Sequence, residues 1–253
     1  MSAVTSRVDL NADVGELPLG QDPALMRVIT SANIACGFHA GDPHLMRATV
    51  ALAQAHGVAV GAHPGFDDPE HFGRRELRVS PQAVEDLALY QIGALAAIAA
   101  ALGARLAHVK AHGALYNMAA RDASLADALA RATAAFDRSL VFVGLARSAL
   151  LAAGERAGLR TASEVFADRA YQADGSLVSR QQTGAVIHDQ AAVVARAVRM
   201  VVDGQVEAIT GEVIAVRADT ICVHGDTPGA AAMAAAIRGA LELAGVTVTA
   251  ALR

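Results

Sequence analysis

The 253-residue chain alternates between short apolar segments typical of strands and longer segments typical of helices along its whole length. The one weak exception is 207–216, whose alternation is compatible with a hairpin. Such an order predicts a parallel sheet whose strands are joined by right-handed crossover helices. An open doubly wound sheet and a closed barrel both satisfy this order.

Polar residues on the strands distinguish between these two architectures. The segments 8–13 (VDLNAD) and 107–117 (AHVKAHGALYN, read as a strand and a following loop) alternate with a period of two. The polar residues that share a face are Asp9, Asn11 and Asp13 in the first, and His108, Lys110 and His112 in the second. Strands covered on both sides of an open sheet are apolar on both faces. We therefore predict one domain over 1–253, an irregular (β/α) barrel of about seven strands.

The composition agrees with this fold class and excludes several functions. Hydrophobic residues make up 54% and aromatic residues only 4%, so Ala, Val, Leu and Ile must build the core. A net charge of -4 provides no basic surface for nucleic acid or an anionic membrane. We expect the Ala-rich segment 87–102 to be a buried helix rather than a membrane span. The absence of an export signal and the presence of only two cysteines predict a cytoplasmic protein without disulfides.

Lys110 is the only lysine, since the other 20 of the 21 basic side chains are arginine. A lysine ammonium is a compact, rotatable charge whose pKa responds to burial, and arginine cannot replace it in that role. A solvated surface strand is the alternative interpretation. The recurrence of polar clusters at other strand ends favours chemistry at Lys110.

Each polar cluster falls where a predicted strand meets its following loop. The clusters are Asp13 with Glu16, His39 with Asp42, His63 with Asp67, residues 110–117, residues 164–169, and His224 with Asp226. In parallel α/β folds these strand ends lie on one side of the molecule. The sequence therefore predicts one shared active site at that rim.

The histidines and cysteines leave metal binding and thiol chemistry open. His39 and His63 lie beside glycines, where a backbone can approach a ligand. Asp13 with His39, His63 or His112 could hold a divalent metal, but we assign no metal ligands because HExxH and paired CxxC motifs are absent. Both cysteines are interpreted as core residues, with a Cys36 thiolate nucleophile as the alternative.

The arginines supply candidate anion sites. Arg74 and Arg75 follow Phe72-Gly73, and Arg169 forms a second possible site with Arg180. Either pair could bind a carboxylate or phosphate through bidentate bonds, and ordinary surface arginine is the alternative. No phosphate-binding GxxxxGK[ST] loop, GxGxxG fingerprint or GxSxG elbow is present.

Six segments together resemble the LamB/YcsF family and occur in that family's order. They are VDLNADVGE (8–16), SANIACGFHAGDP (31–43), GAHPGFDD with FGRR (61–68 and 72–75), VKAHGALYN (109–117), EVFADRAY (164–171) and ICVHGD (221–226). The resemblance implies a distorted barrel similar to the glycoside hydrolase/deacetylase superfamily. It also implies the A subunit of an ATP-dependent 5-oxoprolinase, which opens 5-oxo-L-proline to L-glutamate as ATP becomes ADP and phosphate. Separate B and C subunits are implied as partners, while self-association and the subunit that binds ATP are left open.

This implied reaction needs cations, a general base and a general acid, because a five-membered lactam is a poor electrophile. Phosphorylation of the amide oxygen would create a leaving group, and water addition would then open the ring through an acyl phosphate. The candidate catalytic residues are Lys110 for developing negative charge, and Asp13, Glu164, His63 and His112 for proton transfer. The candidate substrate- and anion-binding residues are Asn11, His39, Asp42, Arg74, Arg75, Tyr116, Asn117, Arg169, His224 and Asp226.

Two other classes of function remain compatible with the same residues. A metal-dependent amidohydrolase or deacetylase would use the histidines and carboxylates as metal ligands. A non-catalytic subunit would use the polar rim only to bind substrate for its partners.

Overall fold

Seven parallel strands close into a barrel in the computed structural model, which describes residues 7–18, 20, 22–224 and 229–250. The barrel strands are β1 (Arg7–Val14), β2 (Ser31–Ala35), β3 (Ala59–His63), β4 (Leu106–Lys110), β5 (Val141–Leu145), β6 (Arg160–Phe166) and β9 (Thr220–His224). The strands outside the barrel are β7 (Gln205–Glu207), β8 (Val213–Ala215) and β10 (Thr247–Val248). Strands β1 to β6 pair in chain order, and β9 pairs with both β6 and β1 to close the barrel. The predicted irregular barrel of about seven strands is confirmed.

The remaining strands lie outside the closed ring. Strands β7 and β8 form an antiparallel pair, which confirms the hairpin suggested by 207–216. Strand β10 lies parallel to the start of β1.

Helices connect the barrel strands and cover their outer faces. They are α1 (Asp22–Leu25), α2 (Pro43–Ala55), α3 (Pro81–Ala101), α4 (Gly113–Arg121), α5 (Ala123–Phe136), α6 (Ala149–Arg156), α7 (Gln190–Val202) and α8 (Ala230–Leu243). Side chains that accept hydrogen bonds from the first turn begin four of them, namely Asp42, Ser80, Asp122 and Asp189. Most of the hydrophobic core lies in the layer between these helices and the barrel.

Helix α4 corrects the prediction that residues beyond the fourth strand form a loop. It begins at Gly113, which has a φ of 55°, and His112 provides no side-chain cap. A helix without a Ser, Thr, Asp or Asn cap lacks the usual sequence signal for its start. Because α4 follows β4 so closely, Tyr116 and Asn117 lie on a helix just beyond Lys110.

The barrel interior is polar, as the alternating strand residues predict. Asp9, Asn11 and Asp13 are all buried there. The Asn33 amide donates to Asn11 Oδ1 at 2.7 Å and to Asp13 Oδ1 at 2.8 Å. These hydrogen bonds join neighbouring strands and offset the desolvation of the buried polar groups.

A large side chain fills the interior where strand β3 carries glycine. The His108 ring lies so close to Gly61 that a Cβ added at Gly61 would be 2.0 Å from His108 Nε2. The same nitrogen lies 2.8 Å from Asn33 Oδ1. Gly61 therefore provides the space in which His108 joins the interior network.

Helix α3 is long and apolar enough to cross a membrane by length and composition alone. One face of this helix is buried against the fold, as predicted for the Ala-rich segment, and includes Val84, Ile92 and Leu95. Gln91 is also buried, accepting from Gly65 N at 3.0 Å and donating to Gly65 O at 2.9 Å. Its amide thereby fixes the loop that follows β3.

Candidate active site

A cavity of about 1090 Å³ opens at the carboxyl ends of the barrel strands. Its wall includes residues at or next to the carboxyl ends of several strands, among them Asp13, His63, Lys110 and Phe166. This arrangement supports the expectation that polar clusters far apart in sequence meet at one rim.

The Lys110 ammonium occupies the base of this cavity between two carboxylates. Its Nζ lies 2.9 Å from Asp13 Oδ1 and 2.8 Å from Glu164 Oε1. It also donates to Cys222 Sγ at 3.0 Å. Only 2% of Lys110 is exposed, so the interpretation as a solvated surface strand is wrong.

Electrostatics keep Lys110 charged despite its burial. Burial alone favours the neutral amine, but Asp13, Cys222 and Glu164 outweigh it and raise the pKa of Lys110 well above its ordinary value. The same surroundings affect Cys222, since burial and Asp13 raise the pKa of its thiol. Lys110 therefore supplies a permanent positive charge rather than a titrating base.

The two carboxylates differ in their access to the cavity. Glu164 is completely buried and accepts from Asn11 Nδ2 at 3.0 Å and from the Tyr116 hydroxyl at 2.7 Å, in addition to Lys110. Asp13 lines the cavity and is 9% exposed. Of the two, Asp13 is the carboxylate that a substrate or water can reach.

Three histidines and Glu16 form a second cluster beside Asp13, which we call the histidine cluster. His39 Nε2 lies 3.3 Å from Glu16 Oε1, and His112 Nδ1 lies 3.2 Å from the same oxygen. His63 Nε2 lies 2.9 Å from His112 Nδ1 and 3.4 Å from Asp13 Oδ2. All four residues are buried, and one ligand atom from each lies within 4.8 Å of the others.

The imidazole rings of the histidine cluster are packed against one another. The rings of His39 and His112 are stacked with centroids 3.8 Å apart. Burial, followed by the neighbouring histidines, lowers the pKa of His39 well below its ordinary value. The same two causes lower the pKa of His112 to about 3. Neutral imidazole with a carboxylate is a donor set that transition metals bind.

Arginines surround the mouth of the cavity. The cavity-lining arginines are Arg74, Arg75, Arg121, Arg147, Arg169 and Arg180. Arg74 lies over the Phe72 ring, with its guanidinium carbon 4.9 Å from the ring centroid, and Arg75 bonds Asp68 at 2.9 Å. Arg169 is buried and donates to the backbone oxygens of Ala185 and Val178.

Comparison with known proteins adds to this geometry. Residues 8–253 match the LamB/YcsF family. This chain belongs to the LamB/YcsF family. The A subunit of 5-oxoprolinase from Shouchella clausii (strain KSM-K16) is 55% identical over 247 residues, covering 96% of this chain and 98% of the relative.

Solved structures agree with the LamB/YcsF assignment. The lactam utilization protein from Thermus thermophilus is 49% identical, with a TM-score of 0.90 over 96% of this chain and 99% of that one. Peptidoglycan deacetylase PdaC from Bacillus subtilis has a TM-score of 0.51 over 97% of this chain and 88% of that chain. At 13% identity, the second similarity shows only a shared barrel fold, as the resemblance implied.

The structure of this LamB/YcsF chain brings most of the predicted site residues together, but not all. Asp42 is exposed and caps α2 by accepting from Leu45 N at 2.8 Å, so it lies outside the cavity wall. Asn117 lines the cavity, yet its amide donates to Gly113 O within its own helix. His224 belongs to β9, while its side chain and Asp226 lie outside the described residues.

Three residues without an assigned role in the sequence contribute to the site. Glu16 joins the histidine cluster, Cys222 contacts Lys110, and buried Asp68 binds both Arg75 and His71. The sequence signal for Glu16 is its position three residues after Asp13, beyond the end of the first strand. The Cys36 alternative loses support, because burial raises the pKa of that thiol to about 12.

Proposed function

We propose that this chain is the A subunit of an ATP-dependent 5-oxoprolinase, which opens 5-oxo-L-proline to L-glutamate as ATP is hydrolysed to ADP and phosphate. The names of its relatives in the family support this substrate class. The observation that carries the proposal is the buried Lys110 ammonium, held between Asp13 and Glu164 at the base of an arginine-rimmed cavity.

Lys110 is suited to stabilise negative charge on the lactam oxygen. A buried ammonium that is already held in position requires little reorganisation when that charge develops. Its two carboxylate partners fix the position of Nζ, and the Tyr116 hydroxyl orients Glu164 in turn. Lys110 and Tyr116 both line the cavity, so a bound lactam would lie against this network.

Asp13 is our choice for the proton-transfer carboxylate, in place of Glu164. Glu164 accepts from Lys110, Asn11 and Tyr116 and does not line the cavity. Asp13 faces the cavity, and its Oδ2 lies 3.4 Å from His63 Nε2 at the edge of the histidine cluster. After phosphorylation of the lactam oxygen, water activated by Asp13 would attack the lactam carbon, and the ring C–N bond would break as the nitrogen takes up a proton. A second water would then release phosphate from the resulting acyl phosphate and leave the carboxylate of glutamate.

The arginines at the mouth are proposed to bind the anionic groups of the reaction. A carboxylate of 5-oxoproline and a phosphoryl group both suit guanidinium donors. Arg74 and Arg75 are the accessible candidates, since they are exposed, whereas the Arg169 guanidinium already donates to two backbone oxygens. The cavity volume leaves room for more than one small ligand.

We propose that the chain acts in the cytoplasm with B and C subunits and that ATP is the co-substrate. The two free, buried cysteines, Cys36 and Cys222, agree with a reducing compartment. ATP is held either by this chain or by a partner. Equilibrium binding of ATP to the isolated chain, and then to the assembled complex, separates these two arrangements.

The decisive experiment measures glutamate release from 5-oxoproline by the purified A, B and C subunits, with and without ATP. We expect release only when all three subunits and ATP are present. Lys110→Arg keeps the positive charge but cannot occupy the same compact position, so turnover should fall by roughly 100-fold or more. Arg131→Lys, an exposed change outside the cavity, is the matched control and should leave turnover intact.

Three outcomes would contradict the proposal. ATP-independent release would indicate a simple amidohydrolase. Unchanged turnover in Lys110→Arg would remove Lys110 from the mechanism. Calorimetric binding of 5-oxoproline with no effect of Lys110→Arg on turnover would leave the chain with a substrate-binding role only.

A further inference from the structure

The hydrogen bonds of His63 and His112 determine which of their ring nitrogens carry hydrogen. His63 Nδ1 lies 2.7 Å from Lys110 O, and His112 Nε2 lies 2.9 Å from Phe72 O. A backbone carbonyl can only accept, so each of these nitrogens is an N–H donor. In a neutral imidazole the opposite nitrogen then has no hydrogen and exposes its lone pair.

Those two opposite nitrogens face one another. His63 Nε2 and His112 Nδ1 are 2.9 Å apart, which is hydrogen-bond distance. With both outer nitrogens donating to carbonyls, neither inner nitrogen of a neutral pair has a hydrogen to share. Two lone pairs at this separation repel each other unless a cation lies against both.

His39 supplies an independent observation at the same place. Only 1% of this residue is exposed, and neither ring nitrogen makes a hydrogen bond with any part of the chain that the structure describes. A buried polar group without such a bond costs about 1–3 kcal/mol. Its Nε2 nevertheless points to the shared centre, 3.3 Å from Glu16 Oε1.

We propose that Glu16, His39, His63 and His112 bind a divalent transition-metal ion of the zinc class. Tetrahedral zinc with bonds of about 2.0–2.1 Å separates neighbouring ligand atoms by roughly 3.3 Å. The three short separations in the histidine cluster are 3.3, 3.2 and 2.9 Å. Three imidazoles and one carboxylate form a donor set that suits zinc and related ions.

The surroundings of the histidine cluster also resemble those of metal ligands. Histidines that bind metals usually donate their second ring N–H to a carbonyl or carboxylate, and His63 and His112 both donate to backbone carbonyls. Two glycines leave room for the rings, since a side chain at either position would clash with His39. A Cβ at Gly65 would lie 2.6 Å from His39 Nδ1, and one at Gly73 would lie 2.7 Å from His39 Cβ.

The proposed ion would be accessible from the cavity. Glu16, His63 and His112 line the cavity wall beside Asp13 and Lys110. A bound divalent ion there would act as a Lewis acid toward a carbonyl oxygen. Metal binding does not depend on the proposed reaction, because it is measured on the isolated chain without ATP or partner subunits.

The test measures metal binding to the full-length chain directly. Elemental analysis of the purified protein should find about one metal ion per chain. Alternatively, protein from which metal has been removed with a chelator should bind about one zinc ion per chain in calorimetry. Cobalt should give the visible absorption of a tetrahedral site. Glu16→Gln and His39→Gln should each weaken zinc binding by at least about 100-fold, since lost outer-shell partners alone cost about 10- to 100-fold.

His56→Ala is the matched control, because this histidine is exposed at the end of α2, outside the cavity. It should bind zinc like the wild type. Circular dichroism and thermal melts would verify folding, and Glu16→Gln, which keeps the side-chain shape, protects the test against a His39 variant that fails to fold.

Several results would overturn the metal proposal. One is a folded wild type that binds none of Zn²⁺, Co²⁺, Ni²⁺ or Mn²⁺. Another is wild-type zinc affinity in both Glu16→Gln and His39→Gln. A third is a ¹⁵N spectrum in which His63 or His112 stays doubly protonated after zinc addition, since a proton would then fill the gap. If zinc binds but ATP-dependent glutamate release is absent, only the proposed function fails.

Discussion

The Lys110 network and the histidine cluster lie side by side at one end of the barrel, yet they differ in how their charges are balanced. Lys110 donates to Asp13, Glu164 and Cys222, so a positive group meets negative or acceptor groups. In the histidine cluster, His63 Nε2 and His112 Nδ1 present lone pairs to each other. The first region supplies its own cation, whereas the second needs one from outside. Burial alone therefore does not show whether the residues of a site balance one another's charges.

The largest expected effect comes from removing the internal cation. Lys110→Met would leave Asp13 and Glu164 buried without their counter-charge, and breaking a buried ion pair costs roughly 3–5 kcal/mol. We expect a comparable fall in the free energy of unfolding by urea, together with a roughly 100- to 1000-fold loss of turnover in the assembled enzyme.

Arg131→Met provides the reference for that experiment. Arg131 pairs with Glu85 on the surface, where an ion pair contributes about 0–1 kcal/mol. Equal destabilisation by Lys110→Met and Arg131→Met would show that removal of Lys110 does not leave Asp13 and Glu164 as buried charges without a counter-charge.

The next largest effect comes from supplying the external cation. Zinc at about 100 times its dissociation constant should raise the free energy of unfolding by about 2.7 kcal/mol, because it binds the folded chain. Thermal melts with and without zinc measure this. At the same zinc concentration Glu16→Gln should lose most of the increase, and a zinc-dependent increase of equal size in that variant would contradict the assignment.

A smaller effect is expected from crowding the histidine rings. An alanine Cβ at Gly73 would lie 2.7 Å from His39 Cβ and 3.0 Å from His112 Cδ2. Such overpacking costs typically 1–3 kcal/mol, and we expect zinc affinity to fall by about 10-fold or more as the rings rotate. Urea unfolding and zinc calorimetry measure the two quantities.

Gly57→Ala separates this crowding from backbone strain. Gly57 has a φ of 67°, close to the 62° of Gly73, but an added Cβ meets nothing within 4 Å. The two alanine variants therefore share the strain and differ in the ring contact. Equal zinc affinity in both would show that Gly73 does not position the rings.

The smallest effect is expected within the Lys110 network. Tyr116→Phe removes the hydroxyl that donates to Glu164 Oε2 at 2.7 Å. Hydrogen bonds to charged groups contribute about 1.5–3 kcal/mol, and we expect the lower end because Glu164 keeps Lys110 and Asn11 as partners. Urea unfolding should show this loss in the free energy of unfolding of Tyr116→Phe. Zinc calorimetry should give the wild-type affinity for the same variant. A large change in zinc affinity would mean that the two regions act as one.

The sequence predicts the fold better than it predicts the site. Alternating strands and helices, with polar residues at every second position of 8–13, led to the barrel because period-two alternation fixes which face is interior. Lys110 stood out because it is the only lysine. The sequence does not predict helix α4, because this helix begins at Gly113 without a capping side chain.

The histidine cluster could not be derived from sequence spacing. Its members lie in four separate segments of the chain, so no local motif links them. Glu16 follows β1, His39 follows β2, His63 ends β3 and His112 precedes α4. Ring orientation depends on tertiary hydrogen bonds to Lys110 O and Phe72 O. Asp42 is the opposite case, because it lies close to His39 in the sequence but serves as the cap of α2 and not as part of the site.

The contact between Gly61 and His108 restricts how this barrel can vary. Any side chain at position 61 would occupy the space of the His108 imidazole, as the 2.0 Å separation indicates. A larger residue at 61 is therefore compatible only with a smaller one at 108, so position 61 can change only together with position 108. Such a double exchange would also remove the partner of Asn33 Oδ1, linking strand-to-strand packing to the amide that orients Asp13.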